Sequence, residues 1–219
     1  MSHTVHPYSH RLGILRDWKS RWFGVDRKYR EFLKGDVLIR QYLEKKLIDS
    51  FVSDVEIERS KKAIRIIIKT SRPGMIIGRN GEGMEKLRKE LTSFMIRNKI
   101  FDKAIETKIE IDEVRSPESN AKLVGLSVRD ALQKRMPFRR VLKQTVEKVM
   151  ANRDVQGVRI RLGGRLNGAD MARTEELKKG RIPLQTLRAD IDFARVRATI
   201  PQGDLGIKVW IYRGEVFNK

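Results

Sequence analysis

The chain contains no cysteine among its 219 residues, which excludes disulfide bonds, cysteine-based zinc sites and a thiol nucleophile. Its only histidines are His3, His6 and His10, so the rest of the chain has no imidazole for catalysis or metal binding. No apolar run approaches the roughly 20 residues that cross a bilayer, and the first residues lack the apolar core of a signal peptide. We therefore expect no membrane partner and a reducing, cytoplasmic setting.

Positive charge is abundant instead. The chain has 48 Lys and Arg against 28 Asp and Glu, giving a net charge of +20 and a pI near 10.4. This imbalance is larger than solubility requires and indicates a polyanionic partner, with nucleic acid favoured over a membrane surface. The length allows one large domain or two small ones, each with its own core.

A glycine-rich stretch, Pro73–Gly83, lies between a β-branched run and a helical pattern. Strand, Gly-x-x-Gly turn and helix in this order are typical of a KH domain, which clamps single-stranded nucleic acid. Gly78 and Gly81 leave room for a sugar-phosphate backbone, and Arg79 and Asn80 between them supply a charge and an amide donor. A lone Gly-x-x-Gly also occurs in structural turns, so both interpretations stay open here.

The hydrophobic pattern around this turn predicts helix, strand, strand, helix and strand over residues 37–113, close to the type II KH arrangement. The first helix is predicted over Val37–Phe51, and the second ends at about Ile96. The strands are predicted from alternating apolar residues: Val55 and Ile57; Ile64, Ile66 and Ile68; Ile105, Ile109 and Ile111. We expect a three-stranded sheet covered by helices, after a basic, aromatic arm (residues 1–36) that contacts a partner rather than folding alone.

Residues 114–219 are predicted to form a second α+β domain, with two helices packed on an antiparallel sheet. Ser116 and Pro117 are typical of a helix start, and this helix should run to about Arg135 before another begins at Pro137. The later elements are predicted as strands around residues 158–162, 189–200 (with a bulge near Phe193) and 206–213, and a short helix near 170–178.

The helix after Pro137 has a basic side. At about 100° per residue, Arg139, Arg140 and Lys143 fall within one quadrant beside the apolar residues. A solvated face is the simplest interpretation of three charges on one helix. Between Arg129 and Arg165, however, eleven Lys and Arg face only three acids, which favours a nucleic-acid surface.

Several stretches together resemble the family of bacterial-type ribosomal protein three of the small subunit. They are Val5–Pro7, Arg11–Ile14, Arg40–Leu43, Arg72–Gly83, Glu85–Arg88, Met136–Arg140, Gly164–Ala169, Ala172–Glu175, Pro183–Asp192 and Gly206–Ile211. The resemblance implies a type II KH domain and a C-terminal α+β domain in the head of the small subunit. It further implies binding to small-subunit rRNA, with ribosomal proteins ten and fourteen as neighbours. We expect no cofactor and no metal.

The resemblance also implies roles for individual residues. Arg139, Arg140 and Lys143 match family positions that line the channel through which mRNA enters and that help to unwind structured message. Candidate rRNA contacts are His6, Arg11, Arg72, Arg159, Arg161, Arg165, Arg173 and Arg188. The segment Ile96–Lys103 is longer than the link that usually follows the KH helix in this family.

Two other classes of function remain to be weighed. A nuclease or abasic-site lyase could use Asp190 and Asp192 to hold Mg²⁺, although these carboxylates could equally pair with Arg188 or Arg195. A free-standing KH regulator of mRNA would use the glycine turn without a ribosome. The three histidines could suggest a metal site, but contact with RNA by a basic, aromatic arm is favoured.

Overall fold

The computed structural model describes residues 5–60, 63–98, 100 and 106–217. Its α-helices are α1 (Pro7–His10), α2 (Asp26–Lys46), α3 (Pro73–Ile77), α4 (Glu82–Arg97), α5 (Ala121–Gln133) and α6 (Phe138–Met150). Its strands are β1 (Ser20–Arg21), β2 (Val52–Arg59), β3 (Ala63–Thr70), β4 (Glu106–Glu113), β5 (Gly157–Gly164), β6 (Arg173–Gly180), β7 (Ala189–Ile200) and β8 (Gly203–Glu215). They form two compact units: a central unit within residues 18–115, and a composite unit of residues 5–17 and 116–217.

The central unit is a four-stranded sheet with helices packed on it, in the order β1-β2-β3-β4. Strand β3 pairs antiparallel with β2 and parallel with β4. Alternation along β3 places Ile64, Ile66 and Ile68 in the core, where each is at most 1% exposed. Helices α2 and α4 contribute apolar residues such as Leu43 and Leu91 to the same core. The predicted order of the five KH elements and the α+β class are confirmed.

Three details of the predicted central unit are wrong. The first helix spans Asp26–Lys46 rather than Val37–Phe51. The prediction missed its N-terminal half because apolar residues there, such as Leu33, are exposed and form no amphipathic pattern. The short helix α3 lies between β3 and the glycine turn. Strand β1 pairs parallel with β2 and adds a fourth strand to the predicted three. The predicted strand residue Ile105 and part of Ile96–Lys103 lie outside the described residues.

The composite unit has helices α5 and α6 packed on an antiparallel sheet in the order β6-β5-β8-β7. Val158, Ile160 and Leu162 point from β5 toward the helices and are fully buried. Ile207 and Val209 of β8 extend the same core. Burial of one sheet face against two amphipathic helices is the layered arrangement that the sequence predicted, and it is confirmed.

Three details of the composite unit differ from the sequence prediction. Helix α5 begins at Ala121 rather than at Ser116 and Pro117, because the Asn120 side chain accepts the hydrogen bonds that cap it. The predicted helix near residues 170–178 is strand β6, which pairs with β5 along its whole length. Leu177 packs against the core while Glu176 and Lys178 are exposed, so the segment has the two-residue alternation of an edge strand. The register shift in β7 falls between Ala189 and Ile191, earlier than the bulge predicted near Phe193.

The predicted arm is divided between the two units. Residues 5–17 fold onto the composite unit through Arg11, which is fully buried. Its guanidinium donates hydrogen bonds to the carbonyls of Pro7 (2.9 Å), Leu184 (2.9 Å) and Thr186 (2.8 Å). Residues 18–36 belong to the central unit and include the start of α2. The described residues of the predicted arm therefore pack within the two units, and their contact with a partner stays a prediction.

Candidate nucleic-acid interface

Helix α6 presents a basic side to solvent because its other side is needed for the core. Phe138, Leu142 and Val146 recur at helical spacing and are at most 4% exposed. Their burial fixes the rotation of the helix, so Arg139, Arg140 and Lys143 are exposed, as the sequence predicted. The three cations therefore lie together at the N-terminal half of α6.

The position of these cations is electrostatically unfavourable within the protein alone. The first turn of α6 contains no acid, and Arg139 and Arg140 lie at the positive end of the helix dipole. Arg139 has Glu175 at 3.6 Å but its side chain remains 73% exposed. Among the described residues, Arg140 and Lys143 have no ion-pair partner. The site can therefore accept an external anion.

Arg173 belongs to the same surface, which sequence reasoning had not linked to α6. Its guanidinium lies 5.6 Å from the centre of the Phe138 ring, and that of Arg139 lies 5.7 Å from the same centre. Both arginines also approach Glu175, at 3.4 Å for Arg173. Pairing of β6 with β5 brings Arg173 close to α6. The sequence prediction missed this contact because it placed a helix over residues 170–178.

The glycine turn joins α3 to α4 with backbone angles that favour glycine. Gly78 and Gly81 have φ of 70° and 83°, and Asn80 between them has φ of 52°. A Cβ on Gly81 would meet no atom within 4 Å, so this glycine faces open space. Arg79 and Asn80 are exposed. The turn therefore presents bare backbone beside one cation and one amide.

Gly83 has a different role, which the motif alone did not reveal. A Cβ on this residue would lie 2.7 Å from the carbonyl oxygen of Ile76 and 3.0 Å from that of Ile77. Both are backbone atoms of α3 and cannot move aside cheaply. Gly83 therefore allows α4 to start directly against α3, and this contact sets the shape of the turn.

The other predicted rRNA contacts lie in varied surroundings. Arg161 is exposed on β5, whereas its neighbour Arg159 pairs with Glu176 at 2.6 Å and covers the Trp210 ring. Arg72 is exposed and lies over the Phe51 ring.

Three further candidates make contacts within the composite unit. Arg188 pairs with Glu215 at 2.7 Å and is exposed. His6 is half-buried, with its ring edge-on to Phe193. Arg165 donates hydrogen bonds to the backbone carbonyls of Ala169 (2.8 Å) and Gln202 (3.2 Å), which hold two loops together.

Arg11 is withdrawn from the candidate contacts. A side chain that is fully buried and bonded to three carbonyls has no surface for RNA. Burial lowers the pKa of Arg11, and the nearby Asp190 carboxylate acts in the opposite direction. The residue fastens the N-terminal segment to the loop before β7.

The two carboxylates considered for Mg²⁺ both contact other groups of the protein. Asp190 lies 2.5 Å from Arg16 and 3.7 Å from Arg213, rather than pairing with Arg188 or Arg195. Asp192 accepts a hydrogen bond from the backbone N–H of Ala121 at 2.8 Å, at the start of α5. Within the described ranges, no group of three His, Asp or Glu is placed to hold a metal ion; His3 lies outside these ranges.

Comparisons with known proteins match both units. A KH domain model matches residues 38–119, and a model described as ribosomal protein S3, C-terminal domain, matches residues 128–211. Small ribosomal subunit protein uS3 of Endomicrobium trichonymphae is 45% identical over 219 residues, which cover 100% of this chain and 90% of that protein. The chain belongs to the uS3 family of small ribosomal subunit proteins.

Two other uS3 proteins show similar agreement. The protein of Ligilactobacillus salivarius (strain UCC118) is 45% identical over 216 residues, covering 99% of this chain and 94% of its own length. That of Xanthomonas euvesicatoria pv. vesicatoria (strain 85-10) is 44% identical over 218 residues, covering 100% and 86%. The family identified from sequence stretches is confirmed. Among the described helices, none combines the length and hydrophobicity needed to span a bilayer.

Proposed function

We propose that the chain is a non-catalytic constituent of the head of the small ribosomal subunit in the cytoplasm. In this role it binds small-subunit rRNA and contacts ribosomal proteins ten and fourteen. Its membership of the uS3 family supports the ribosomal assignment, and its net charge of +20 supports binding to a polyanion. The KH fold and the C-terminal α+β fold provide the surfaces for this binding.

The second part of the proposal concerns mRNA. Arg139, Arg140 and Lys143 line the channel through which mRNA enters and bind the phosphates of the single strand. Three exposed cations on one helix turn, without an acid in that turn, are the observation that carries this assignment. Binding that favours separated strands assists the opening of structured message without nucleotide hydrolysis. The cations therefore act through charge and position alone.

Five arginines outside α6 form the rRNA-binding set. Arg72, Arg159, Arg161, Arg173 and Arg188 retain surface or partial surface for phosphate contacts. His6 is a weaker member because its ring packs on Phe193, and Arg165 acts mainly in holding its loops.

The glycine turn at Gly78–Gly81 is proposed as a separate site for an RNA backbone. The open space beside Gly81 and the exposed Arg79 and Asn80 support it. Close approach of a sugar-phosphate chain to bare backbone is the physical basis of KH recognition. This site uses shape more than charge, because only one of its residues is cationic.

Sedimentation of a cell lysate through sucrose gradients, at low and at moderate salt, tests the ribosomal assignment. The chain should travel with the small subunit and stay there at moderate salt, since many phosphate contacts and protein neighbours hold it. Recovery of the chain only at the top of the gradient would contradict the proposal. It would favour the free-standing KH regulator, whose RNA binding would depend on the Gly78–Gly81 turn.

A further inference from the structure

The outer face of the composite sheet, which points away from α5 and α6, carries a row of three cations. Strand pairing places Arg161 of β5 directly opposite Lys208 of β8, and Lys208 directly opposite Arg195 of β7. All three residues are exposed. We call them the cation row. The sequence predicted only Arg161 as an RNA contact, because the strand order β5-β8-β7 is what brings Lys208 and Arg195 beside it.

The cation row is unfavourable for the isolated protein. Like charges directly opposite on neighbouring strands repel one another and destabilise the sheet. Two acids lie near the row, and both are paired elsewhere. Glu176 faces Arg161 in the register but pairs with Arg159 at 2.6 Å, and Asp204 pairs with Arg197 at 3.4 Å.

The neighbouring row on the same face has bare backbone at its centre, between Thr174 of β6 and the exposed Arg197 of β7. Gly163 and Gly206 lie opposite each other, one position along from Arg161 and Lys208 on this face. A Cβ on Gly163 would meet only the Thr174 hydroxyl at 3.6 Å, and one on Gly206 only a carbonyl oxygen at 3.8 Å. Neither glycine has a positive φ, so side chains are sterically permitted there. The glycines leave a shallow, open strip beside the cations.

We propose that the cation row and its glycine strip are a binding site for the sugar-phosphate backbone of folded rRNA. The inference rests on the proposed ribosomal function and names where on the composite unit the rRNA is held. Adjacent strands lie about 4.8 Å apart, so the three cations span roughly 10 Å and can contact successive phosphates of one strand. The glycine strip lets the sugars approach the sheet, and bound phosphates relieve the repulsion within the row. The α6 cations lie on the opposite side of this sheet, so rRNA held at the cation row leaves them open.

Three single variants of the full chain test this site: R161Q, K208Q and R195Q. Their binding to deproteinised small-subunit rRNA is measured as a function of salt, with K179Q as the control. Lys179 is exposed on β6 but points to the other side of the same sheet. Each row variant should bind more weakly and should lower the slope of log K against log salt by about 0.7–0.9, the value for one lost phosphate contact. K179Q should leave the slope at the wild-type value.

Thermal unfolding of the same proteins separates binding from structural damage. K208Q should have a Tm equal to or above that of the wild type, because it removes the central charge of a repelling row. Weaker binding together with undiminished stability would support the site. Equal slopes for the row variants and K179Q would overturn it, as would a Tm loss that accounts for the weaker binding.

The test also distinguishes this inference from the proposed function. Failure of the wild-type chain to bind small-subunit rRNA would overturn both. Normal binding by the wild type and by all three row variants would overturn only the cation row and leave the ribosomal assignment in place.

Discussion

The glycine turn of the central unit and helix α6 of the composite unit offer RNA different chemistry. The turn offers backbone, with Gly78 and Gly81 at φ of 70° and 83° and open space beside the second. Helix α6 offers side-chain charge, with Arg139 73% exposed and no acid in its first turn. A site made of backbone depends on shape, whereas a site made of cations depends on counterion release and hence on salt. Variants that change the shape of the glycine turn should therefore affect RNA binding differently from variants that remove charge from α6.

The largest effect on stability is expected from G83A in the central unit. The new Cβ would lie 2.7 Å from a backbone oxygen of α3, so α3 and α4 must move apart. We expect a loss of about 1–3 kcal/mol in the free energy of unfolding. Chemical denaturation measures it, with G74A as the control.

Gly74 is a suitable control because it lies in α3 and a Cβ there would meet no atom within 4 Å. G74A should be neutral or more stable, by at most about 1 kcal/mol, since alanine is the better helix former. Equal stabilities for the two variants would contradict the close contact between α3 and α4.

The next largest effect is on RNA binding by α6. Replacing Arg139, Arg140 and Lys143 together by alanine should lower the salt slope for a single-stranded RNA by about 2, since each phosphate contact on a single strand contributes about 0.7. Fluorescence anisotropy at several salt concentrations measures the slope. The fold should be retained because all three side chains are exposed.

A charge-matched control replaces Lys34, Lys45 and Lys89 by alanine. These lysines are exposed on α2 and α4 of the central unit, so the control removes the same charge from positions outside α6. The control should change the slope much less than the α6 variant. Equal changes for the two triple variants would mean that net charge, and not the arrangement on α6, determines binding.

A smaller effect with a different signature is expected from G81A. The added methyl group points into open space, where it would keep an RNA backbone away, and a positive φ costs alanine about 1–2 kcal/mol. Affinity for single-stranded RNA should fall while the salt slope stays unchanged. R79A should instead lower the slope by about 0.7. A G81A protein that binds as tightly as the wild type would contradict the role of bare backbone.

The smallest effect is on the stability of α6 itself. R140Q removes a cation from the positive end of the helix dipole and should stabilise the protein by about 0.3–1 kcal/mol. K148Q is the comparison at the other end of the helix: Lys148 lies in the last turn, where a cation is favourable, and has Glu118 at 3.6 Å, so its loss should be neutral or destabilising. Thermal unfolding at low salt measures the stability of both variants. A destabilised R140Q protein would contradict the claim that Arg140 lies in an electrostatically unfavourable position.

Much of this fold follows from local pattern. The alternation in β3, the apolar stripe of α6 and the order of the KH elements were all predictable, since each element buries one regular face. The start of α2 was not, because Tyr29, Leu33 and Val37 are exposed and interrupt the amphipathic pattern. Strand β6 was missed because a single apolar residue, Leu177, anchors an edge strand that is otherwise polar.

The candidate site divides in the same way. The exposure of Arg139, Arg140 and Lys143 could be predicted because one helix determines it. The burial of Arg11 could not, since its partners Leu184 and Thr186 are more than 170 positions away and are backbone carbonyls without a sequence signature. The cation row likewise required the strand register. Contacts between distant segments are what the sequence pattern leaves out.

The most direct test of the central claim follows ribosomes that carry the Arg139, Arg140 and Lys143 alanine variant along two messages, one unstructured and one with a stable hairpin. The variant chain should still sediment with the small subunit, because the replaced side chains are exposed and lie outside both cores. We expect an unchanged translation rate on the unstructured message and a slower passage through the hairpin. Wild-type speed on both messages would contradict the proposal that α6 grips the incoming strand.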